Sequence, residues 1–579
     1  MGGHPPPSCG DGVVGGGEVC DPAAPASACC AQDCSAAAAA DTQCGPDPDG
    51  AGCEAPPACD GTGVAPEHCV ARTEPGGAPC TDDGLFCTGT EACQGGVCTS
   101  GGDPCPGPDG DDDCKESCNE QSDSCTAGDA YGSACGSAKA CSAGLCLGGK
   151  HLWSKRFGDA SGQYGWAVAA DDAGDLLLAG AFYGTIDFGG GVLDSVGLGG
   201  RPGFLAKLDG AGNHIWSKRF AGTGDVSPVA ASCDKEASVV VAGFFWGGVD
   251  FGGGVLANAG FGTSDVFLAK FGAAGNHIWS KRFGDALGNQ AATAVAYDGQ
   301  GNVLVAGQHD GAVDFGGGEL DGTGAFLAKF DPAGNHLWSK SFGISCNCYA
   351  RGVAGDGAGN VVVVGEFQGT VDFGAGVLAS VDGGKDGFVG KYDAAGNHAW
   401  SKHFGNEYGA AIHAVAVEGE GSVLLVGDFS GEVDFGGGVL GSKGNQGDVV
   451  VAKYDKAGKH LWAKCFGDAS SQSARAVAVD SSNNVILSGR LTGGTIDFGG
   501  GPLTSAGGSD VFLAKLDPQG NHLWSKRFGD DQHQIDSSVA ADAEGNAFIA
   551  GPFRGTVDFG GGPLMSAGFE DVFAAKFGP

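Results

Sequence analysis

The chain has 579 residues, 113 of them glycine, and a formal net charge of −37. Residues 1–150 hold 4 Lys and Arg against 23 Asp and Glu, and residues 151–579 hold 28 against 46, so both parts are acidic. This charge argues against nucleic acid or an anionic membrane surface as a partner and is more compatible with cations or basic partners. The sequence predicts no transmembrane segment, because no apolar run approaches the roughly 20 residues that span a bilayer.

Twenty of the 24 cysteines lie between Cys9 and Cys146, in a region poor in large apolar residues. Such a segment cannot fold by burial alone, and its even cysteine count predicts a disulfide framework. A zinc module is the alternative, but the region has only His4 and His68, and its cysteines are irregularly spaced. We therefore expect residues 1–148 to form an acidic, disulfide-stapled region of a secreted, periplasmic or cell-surface protein.

Residues 1–9 contain no apolar segment of the kind found in a secretory leader. An extracellular location therefore requires a leader ahead of the first residue of this sequence, and we expect one. Cys9 would be a candidate for lipid attachment only if it followed such a leader.

The most specific motif of the N-terminal region runs from Cys9 to Cys20 and continues to Cys29, Cys30 and Cys34. It resembles the start of a disintegrin-like module over residues 8–34. It is also similar to the cysteine-rich repeats of myxobacterial surface proteins, over about residues 8–105.

In disintegrin-like modules this first loop binds Ca²⁺, and the resemblance implies the same site here. Asp11, Glu18 and Asp21 would supply side-chain oxygens, and Val13 a backbone carbonyl. Three carboxylates held together by cysteines also suit Ca²⁺, which prefers several oxygen ligands. A further acidic ligand of the family is replaced by Gly15, and the alternative is that Asp11 and Glu18 only cap turns of a disulfide loop.

From residue 151 onward, one pattern recurs seven times at spacings of 59 to 63 residues. Its anchor is a tryptophan followed by Ser-Lys or Ala-Lys, at Trp153, Trp216, Trp279, Trp338, Trp400, Trp462 and Trp524. A second anchor, Asp-Phe-Gly, keeps the same period at Phe188, Phe251, Phe315, Phe373, Phe435, Phe498 and Phe559. A fixed period of this kind indicates a repeat architecture.

Each repeat unit contains four strand-length apolar runs separated by Asp/Gly/Asn turns. In one unit these runs are Ala294–Tyr297, Val303–Gly307, Phe326–Phe330 and His336–Lys340. No stretch shows sustained helical periodicity. The pattern predicts an all-β fold over residues 149–579, a seven-bladed β-propeller of four-stranded blades with a Gly-rich insertion between the second and third strands.

The two ends of the repeat region are incomplete. It begins with the fourth strand of a unit, at His151–Phe157, and finishes with the third strand of a unit, at Asp571–Phe577. We expect the N-terminal strand to pair with the C-terminal strand, which closes the ring and leaves no open edge. The Ala/Val run should lie innermost and the tryptophan strand outermost.

The pattern AVAxDxxGNVLVAG…DVFLAKxDxxGNHLWSKxFG resembles the SBBP-type propeller repeats of bacterial secreted and surface proteins, over residues 151–579. The resemblance implies an extracellular scaffold and, in most such proteins, no defined activity. It assigns no functional residue to this chain.

Residues present in all seven units are interpreted as requirements of the fold. The histidine two residues before each tryptophan is therefore expected to be structural, and the seven histidines are not expected to form a metal ring. The tryptophans are expected to be wedges between blades or staples at the rim. The Asp-Phe-Gly aspartates should accept turn N–H bonds or pair with strand lysines such as Lys207 or Lys270.

The departures from the repeat form no recognisable catalytic motif. They are Cys346, Cys348, His309, Arg490, Arg554 and Trp246. Cys346 and Cys348 are expected to form a disulfide, with a soft-metal site as the alternative. The Gly-rich insertions vary between units, and they are the expected recognition face.

Together these patterns predict a secreted or cell-surface interaction or adhesion scaffold without catalysis, which binds a protein or glycan through propeller-face loops. Two alternatives stay open. One is an extracellular polysaccharide hydrolase or lyase with its site at the channel mouth, and the other is a structural, self-assembling component of an envelope or matrix. No catalytic residue is assigned, and Ca²⁺ is the one expected cofactor.

Overall fold

The computed structural model describes residues 148–579, except 198, 344–345, 445 and 535–537, together with the backbone of short N-terminal strands. The chain divides into two units, Met1–Cys146 and Leu147–Pro579. The short N-terminal strands are Thr42–Gln43, Ala58–Cys59, Ala92–Gln94, Val97–Thr99, Ala134–Cys135, Lys139–Ser142 and Leu145–Gly148. The predicted disulfide framework of the N-terminal region lies outside the described residues.

The second unit forms seven four-stranded antiparallel sheets, each ordered inner, second, third and outer strand. The inner strands are Gln163–Ala170, Val226–Cys233, Gln290–Tyr297, Asn347–Gly355, Ala410–Val417, Ser471–Val479 and Ser538–Ala541. The second strands are Leu176–Phe182, Val239–Phe245, Val303–Asp310, Val361–Gln368, Val423–Phe429, Val485–Thr492 and Ala547–Phe553. The third strands are Gly203–Leu208, Asp265–Phe271, Thr323–Phe330, Asp386–Tyr392, Asp448–Tyr454, Asp510–Leu516 and Asp571–Phe577. The outer strands of blades 1 to 7 are His214–Phe220, His277–Phe283, His336–Phe342, His398–Phe404, His460–Phe466, His522–Phe528 and His151–Phe157.

The Gly-rich insertion of each blade folds into a two-stranded hairpin between the second and third strands. The hairpins pair Thr185–Asp187 with Val192–Asp194, Gly248–Asp250 with Val255–Ala257, Val313–Asp314 with Glu319–Leu320, Thr370–Asp372 with Val377–Ala379, Glu432–Asp434 with Val439–Gly441, Thr495–Ile496 with Leu503–Thr504, and Thr556–Asp558 with Pro563–Met565. Blade 4 adds a single 3₁₀ turn at Val381–Gly383. In the described part of the chain, no helix has the length and apolar character needed to cross a bilayer.

The last blade is completed by the beginning of the propeller. Its outer strand, His151–Phe157, pairs antiparallel with Asp571–Phe577, so that Lys576 lies opposite Trp153. The prediction of a seven-bladed propeller of four-stranded blades, closed by its N- and C-terminal strands, is confirmed. Because this third strand has an outer partner like all the others, the ring has no open interface.

The outer-strand tryptophans fasten each blade to the next. Six of them donate the indole N–H to a carbonyl in the turn between the third and outer strands of the following blade, as Trp216 does to Ala273 at 2.8 Å. In the last interface this turn is interrupted by the chain ends, and Trp524 is buried against Gly148 and Gly149 instead. The tryptophans therefore join adjacent blades, which agrees with the structural role predicted for them as wedges or staples.

Every blade contains one buried ion pair between a third-strand lysine and the acid that opens the turn after the inner strand. The pairs are Lys207–Asp171, Lys270–Asp234, Lys329–Asp298, Lys391–Asp356, Lys453–Glu418, Lys515–Asp480 and Lys576–Asp542. Lys329 Nζ lies 2.8 Å from Asp298 Oδ2 and also donates to the Gly359 carbonyl of the next blade at 2.7 Å. The lysine thus neutralises an acid of its own blade and holds the neighbouring turn.

The Asp-Phe-Gly aspartates do not pair with these lysines, so that part of the expectation was wrong. Each aspartate accepts N–H bonds from the glycines two and four residues later, as Asp187 does from Gly189 and Gly191. Lys207 and Lys270 are held by the acids of the inner-strand turns. The turn-forming role of these aspartates is the half of the expectation that is confirmed.

The repeated histidines also support turns. Five of them lie within hydrogen-bond distance of the serine three residues later, as His214 Nε2 does at 3.0 Å from Ser217 Oγ. The rings pack under the Gly-rich insertion, where a Cβ on Gly190 would lie 2.0 Å from the His214 ring. Among the residues that the structure describes, no group of three or more His, Cys, Asp or Glu is placed to hold a metal ion.

Lys329→Met should lower the free energy of unfolding by about 3–5 kcal/mol at neutral pH, because it leaves the buried Asp298 carboxylate without its partner. In the wild type, burial raises the pKa of Asp298, but hydrogen bonds from Lys329 and Asn302 outweigh burial and hold that pKa below its ordinary value. The ion pair therefore contributes to the free energy of unfolding above about pH 4. This contribution is lost as the pH falls through the pKa of Asp298 in the folded state.

Urea unfolding of the wild type and the variant, at neutral pH and below about pH 4, measures the free energy of unfolding of each. The difference in that free energy between the two proteins should be smaller at acidic pH. The control is Lys459→Met, which removes an exposed lysine. A Lys329→Met variant as stable as this control would contradict the role assigned to the pair.

Candidate functional site

The seven inner strands surround a central channel. A cavity of about 400 Å³ is lined by residues of all seven strands, from Trp166–Val168 in blade 1 to Ser538 and Val539 in blade 7. Most of the lining side chains are alanine or valine, which are small enough to share the axis. The exceptions lie towards the end where the inner strands begin and the second strands finish, and we call this end the channel mouth.

The exceptional position is a β-bulge in each of the six blades whose inner strand is fully described. In blade 5, Ile412 lies opposite Gly427 and Ala414 lies opposite Val426, so that His413 has no partner on the second strand. A bulge of this kind re-aims its extra side chain. Here the six extra side chains line the channel.

The bulge explains the glycine near the end of each second strand. The inner strand approaches so closely that a Cβ on Gly427 would lie 2.0 Å from the Ala411 carbonyl oxygen. A Cβ on Gly180 would lie 1.9 Å from the Tyr164 carbonyl oxygen. No side chain fits at these distances, so glycine is required by the close approach of two backbones.

The bulge position is where the blades differ most in chemistry. In chain order it holds Trp166, Val229, Thr293, Arg351, His413 and Arg475. A residue required by the fold would be the same in every blade, as the second-strand glycine is. The variation at this position is what recognition of an asymmetric ligand requires.

In blades 5 and 6, one carboxylate organises the bulge residues. His413 Nε2 lies 2.7 Å from Asp428 Oδ1, and Arg475 Nη1 lies 3.2 Å from His413 Nδ1 and 3.1 Å from His413 Nε2. Ser473 donates its hydroxyl to the same oxygen of Asp428. Burial raises the pKa of Asp428, but the hydrogen bonds from His413 and Ser473 and the charge of Arg475 outweigh it, so the pKa lies below its ordinary value.

In blade 4, two cations share one buried acid. Glu366 accepts from Arg351 Nη2 at 2.9 Å and from Lys385 Nζ at 3.3 Å. The side chains of Arg351 and Lys385 are 39% and 46% exposed, whereas that of Glu366 is 7% exposed. Both cations also lie over the ring of Tyr349. The surface at this part of the mouth is therefore cationic.

In blade 1, three aromatic rings surround an arginine. The guanidinium of Arg201 lies 5.5, 5.1 and 5.8 Å from the ring centroids of Tyr164, Trp166 and Tyr183. It donates to Ser227 Oγ at 3.2 Å. Within the described residues, no carboxylate forms an ion pair with the Arg201 guanidinium, although Asp225 accepts the Arg201 backbone N–H at 2.7 Å.

The polar network does not combine a nucleophile with a free base. Ser473 donates to Asp428 and not to His413, and Arg475 Nη1 lies within hydrogen-bond distance of both ring nitrogens of His413. A general base needs an acceptor atom within reach of the substrate proton. The mouth offers hydrogen-bond donors, positive charge and flat rings, which is the chemistry of a recognition surface.

The predicted Ca²⁺ ligands Asp11, Val13, Glu18 and Asp21 lie outside the described residues, and their site stays a prediction. The expected disulfide between Cys346 and Cys348 is present.

Three other departures from the repeat lie at the mouth. Arg490 and Arg554 lie at or just after the ends of the second strands of blades 6 and 7, and Trp246 follows that of blade 2. The insertion hairpins, in contrast, lie outside the channel. A groove of about 630 Å³ beside the blade 4 hairpin is lined largely by repeated residues, including Asp372–Gly374 and Val377. We therefore place the candidate site at the mouth.

Sequence reasoning missed most residues of the site, including Trp166, Arg351, Glu366, Lys385, His413, Asp428, Ser473 and Arg475. An alignment of the seven inner strands with one another would have found the bulge position, because large and charged residues interrupt an otherwise small and apolar run there. The acids on the second strands follow the invariant glycine directly, at Glu366 and Asp428.

No protein-family model matches the chain. A stretch of 229 residues is 26% identical to an uncharacterized WD repeat-containing protein of Acanthamoeba polyphaga mimivirus and covers 33% of this chain and 16% of that protein. A stretch of 161 residues is 28% identical to the regulatory protein FlaEY of Caulobacter vibrioides and covers 27% of this chain and 17% of that protein. The chain thus spans about a sixth of the length of these curated relatives.

Similar solved structures include a protein of unknown function from Dyadobacter fermentans, with 11% identity, a TM-score of 0.34 and coverage of 74% of this chain and 99% of that chain. The WD40 domain of Neurospora crassa Pan2 gives 9% identity, a TM-score of 0.29 and coverage of 56% and 85%. A polysaccharide lyase described as an ulvan lyase has 11% identity and a TM-score of 0.35, with coverage of 73% of this chain and 96% of that chain. Similarities at these TM-scores carry no functional argument.

Gly427→Ala should destabilise the protein by about 1–3 kcal/mol or more, because the new methyl group would overlap the Ala411 carbonyl and force the bulge to open. Gly441→Ala is the matched control. Its Cβ would meet only Glu432 Cγ, at 4.0 Å, and should change stability little. Urea unfolding of both variants measures the difference, and equal stabilities would show that the bulge does not need its glycine.

Proposed function

We propose that the protein is a non-catalytic interaction or adhesion scaffold displayed outside the cell, and that its propeller recognises a protein or glycan at the channel mouth. The observation that carries this proposal is the bulge position. Six strands that are otherwise alike present tryptophan, valine, threonine, arginine, histidine and arginine to one channel. Such variation on a repeated frame serves an asymmetric ligand.

Rigidity supports the same proposal. The bulge side chains stand on strands of a closed ring, and His413 is fixed further by Asp428 and Arg475. Preorganised groups lose little conformational freedom on binding, which favours affinity. The WD repeat-containing relative is consistent with a propeller that works through binding.

The extracellular location rests on cysteine chemistry. Disulfides persist in oxidising compartments, and the Cys346–Cys348 bond of the propeller supports that environment together with the cysteine-rich N-terminal region. The resemblance to SBBP-type repeats agrees with it.

We further propose that Ca²⁺ binds in the N-terminal region through Asp11, Val13, Glu18 and Asp21. Chelation by EDTA should lower the melting temperature of the N-terminal transition in the full-length protein, because a bound ion stabilises the folded state. In Asp21→Ala, EDTA should have little further effect. Calorimetric scans with and without EDTA make the test, and an unchanged wild-type transition would remove the metal proposal.

Affinity capture from a native cell-surface extract tests the binding face. The full-length wild type should retain a partner that a channel-mouth variant, Arg201→Ala/Arg351→Ala, retains at least about tenfold less, because each arginine supplies charge-assisted hydrogen bonds. The control changes two exposed hairpin valines, Val255→Ser/Val439→Ser, and should retain the partner fully. Quantitative mass spectrometry of the captured material gives the ratios.

The opposite pattern, in which the hairpin variant loses the partner, would move the site to the insertions. Saturable turnover of a polysaccharide by the purified protein would favour the hydrolase or lyase alternative instead. Self-assembly of the purified protein without a partner would favour the structural alternative.

A further inference from the structure

We infer that the channel mouth binds an acidic saccharide, a sugar chain that carries carboxylate or sulfate groups. This inference rests on the proposed function and specifies its ligand. Three observations carry it: the placement of the arginines, the aromatic rings among them and the size of the channel.

The arginines outside the repeat gather at one end of the propeller. Residues 151–579 contain nine arginines, and four of them follow the repeated outer-strand lysine. The other five are Arg201, Arg351, Arg475, Arg490 and Arg554. They stand on inner strands, at the ends of second strands, or just before a third strand. In an antiparallel blade these places share one end, so the five arginines and Lys385 lie at the same end of the propeller, and Arg351 and Arg475 line the channel itself.

Acids at the same end offset part of this charge, including Asp225, which accepts the Arg201 backbone N–H, and exposed Asp310 at the end of a second strand. Glu366 is more deeply buried than the two cations that it binds, Arg351 and Lys385. Asp428 is shared by His413 and Ser473. Burial and the charge of nearby Glu570 raise the pKa of Tyr164 at the edge of the mouth. Residues 151–579 as a whole hold 28 basic against 46 acidic residues, a net of −18, so the place where Arg351 and Lys385 share Glu366 is a local excess of positive charge.

Aromatic rings stand among these cations. Tyr164 and Trp166 are nearly parallel, with an interplanar angle of 15°, and Tyr183 is 47% exposed beside them. Tyr349 lies under Arg351 on the far side of the ring of blades. A pyranose ring has apolar C–H faces and a polar rim, so it packs on an aromatic ring while its rim reaches hydrogen-bond donors. An acidic peptide would use the cations alone and a neutral sugar the rings alone, whereas the mouth supplies both.

The channel is also of the right size. Its volume of about 400 Å³ falls within the range of small-molecule pockets. It admits one sugar unit or the end of a chain and excludes a folded domain. Longer parts of the chain would lie across the mouth, where Arg351 and Lys385 are exposed.

Titration calorimetry of the full-length protein with four probes tests the inference. Hexagalacturonate or sulfated cellohexaose should bind, and raising the salt concentration should weaken that binding because it screens the charges. Unmodified cellohexaose and hexaglutamate should bind at least about tenfold more weakly.

A matched pair of variants locates the site. Arg351→Gln should weaken binding of the acidic saccharide about tenfold or more, the effect of losing one hydrogen bond between charged groups. Trp166→Leu should weaken it as well. Arg219→Gln removes the same charge from an outer strand, where Arg219 pairs with Asp194, and should leave the affinity unchanged. Thermal unfolding of each variant identifies any loss that comes from misfolding.

Four results would overturn the inference: binding of hexaglutamate as tight as that of the saccharides, equal binding of neutral cellohexaose, an equal loss in Arg219→Gln, or no binding of either acidic saccharide. The first would assign the mouth to acidic peptides. The proposed function would survive any of these results if the channel-mouth variant still loses its partner from the surface extract, and it would fail if that variant retains the partner.

Discussion

One extra residue in each of the six fully described inner strands determines what the centre of this propeller can present. The inner strand cannot pair that residue with the second strand and bulges there, and the carbonyl two residues earlier lies close against the second-strand backbone, as Ala411 does before His413. Glycine must then occupy the facing position, while the bulged side chain becomes free to vary. The same local geometry therefore produces an invariant residue and a variable one side by side, at Gly427 and His413 in blade 5.

The ring that carries these bulges is held by contacts that cross from blade to blade. Hydrophobic side chains of adjacent sheets form the cores, such as Phe204 of blade 1 with Phe548 of blade 7. Polar contacts then fix the angle between sheets, through the tryptophan N–H bonds and through lysines such as Lys329 that bind an acid in one blade and a carbonyl in the next. Because these contacts repeat, their geometry is the same around the ring, and any asymmetry must come from positions that they do not use.

This division explains how far the sequence could be read. The number of blades, the order of strands and the closing pair of His151–Phe157 with Asp571–Phe577 follow from periodicity and from the two incomplete ends, and all are present. The partner of each strand lysine could not be chosen, since two acidic positions recur in every unit and only the three-dimensional register places the inner-strand turn beside the lysine. The site was missed for a similar reason. Residues as far apart in sequence as Arg201 and Arg351 lie at the same end of the propeller only because strand direction brings both there.

Departures from the repeat are of two physical kinds, and the difference bears on function. Some compensate one another within a blade: His403 replaces an outer-strand arginine and binds the same buried acid position, Asp386, at 2.7 Å, and Ser341 meets His309 at 2.8 Å. These changes preserve a structural contact with different atoms. Arg351 likewise meets an acid of its own blade, Glu366, but Glu366 also receives Lys385, so two exposed cations share one buried acid in an acidic protein. Net charge describes how the whole molecule behaves at a distance, whereas a ligand entering the channel meets the local field. The acidic surface repels a polyanion over most of its area but not at the mouth. The surrounding negative charge would therefore direct such a ligand to that one place.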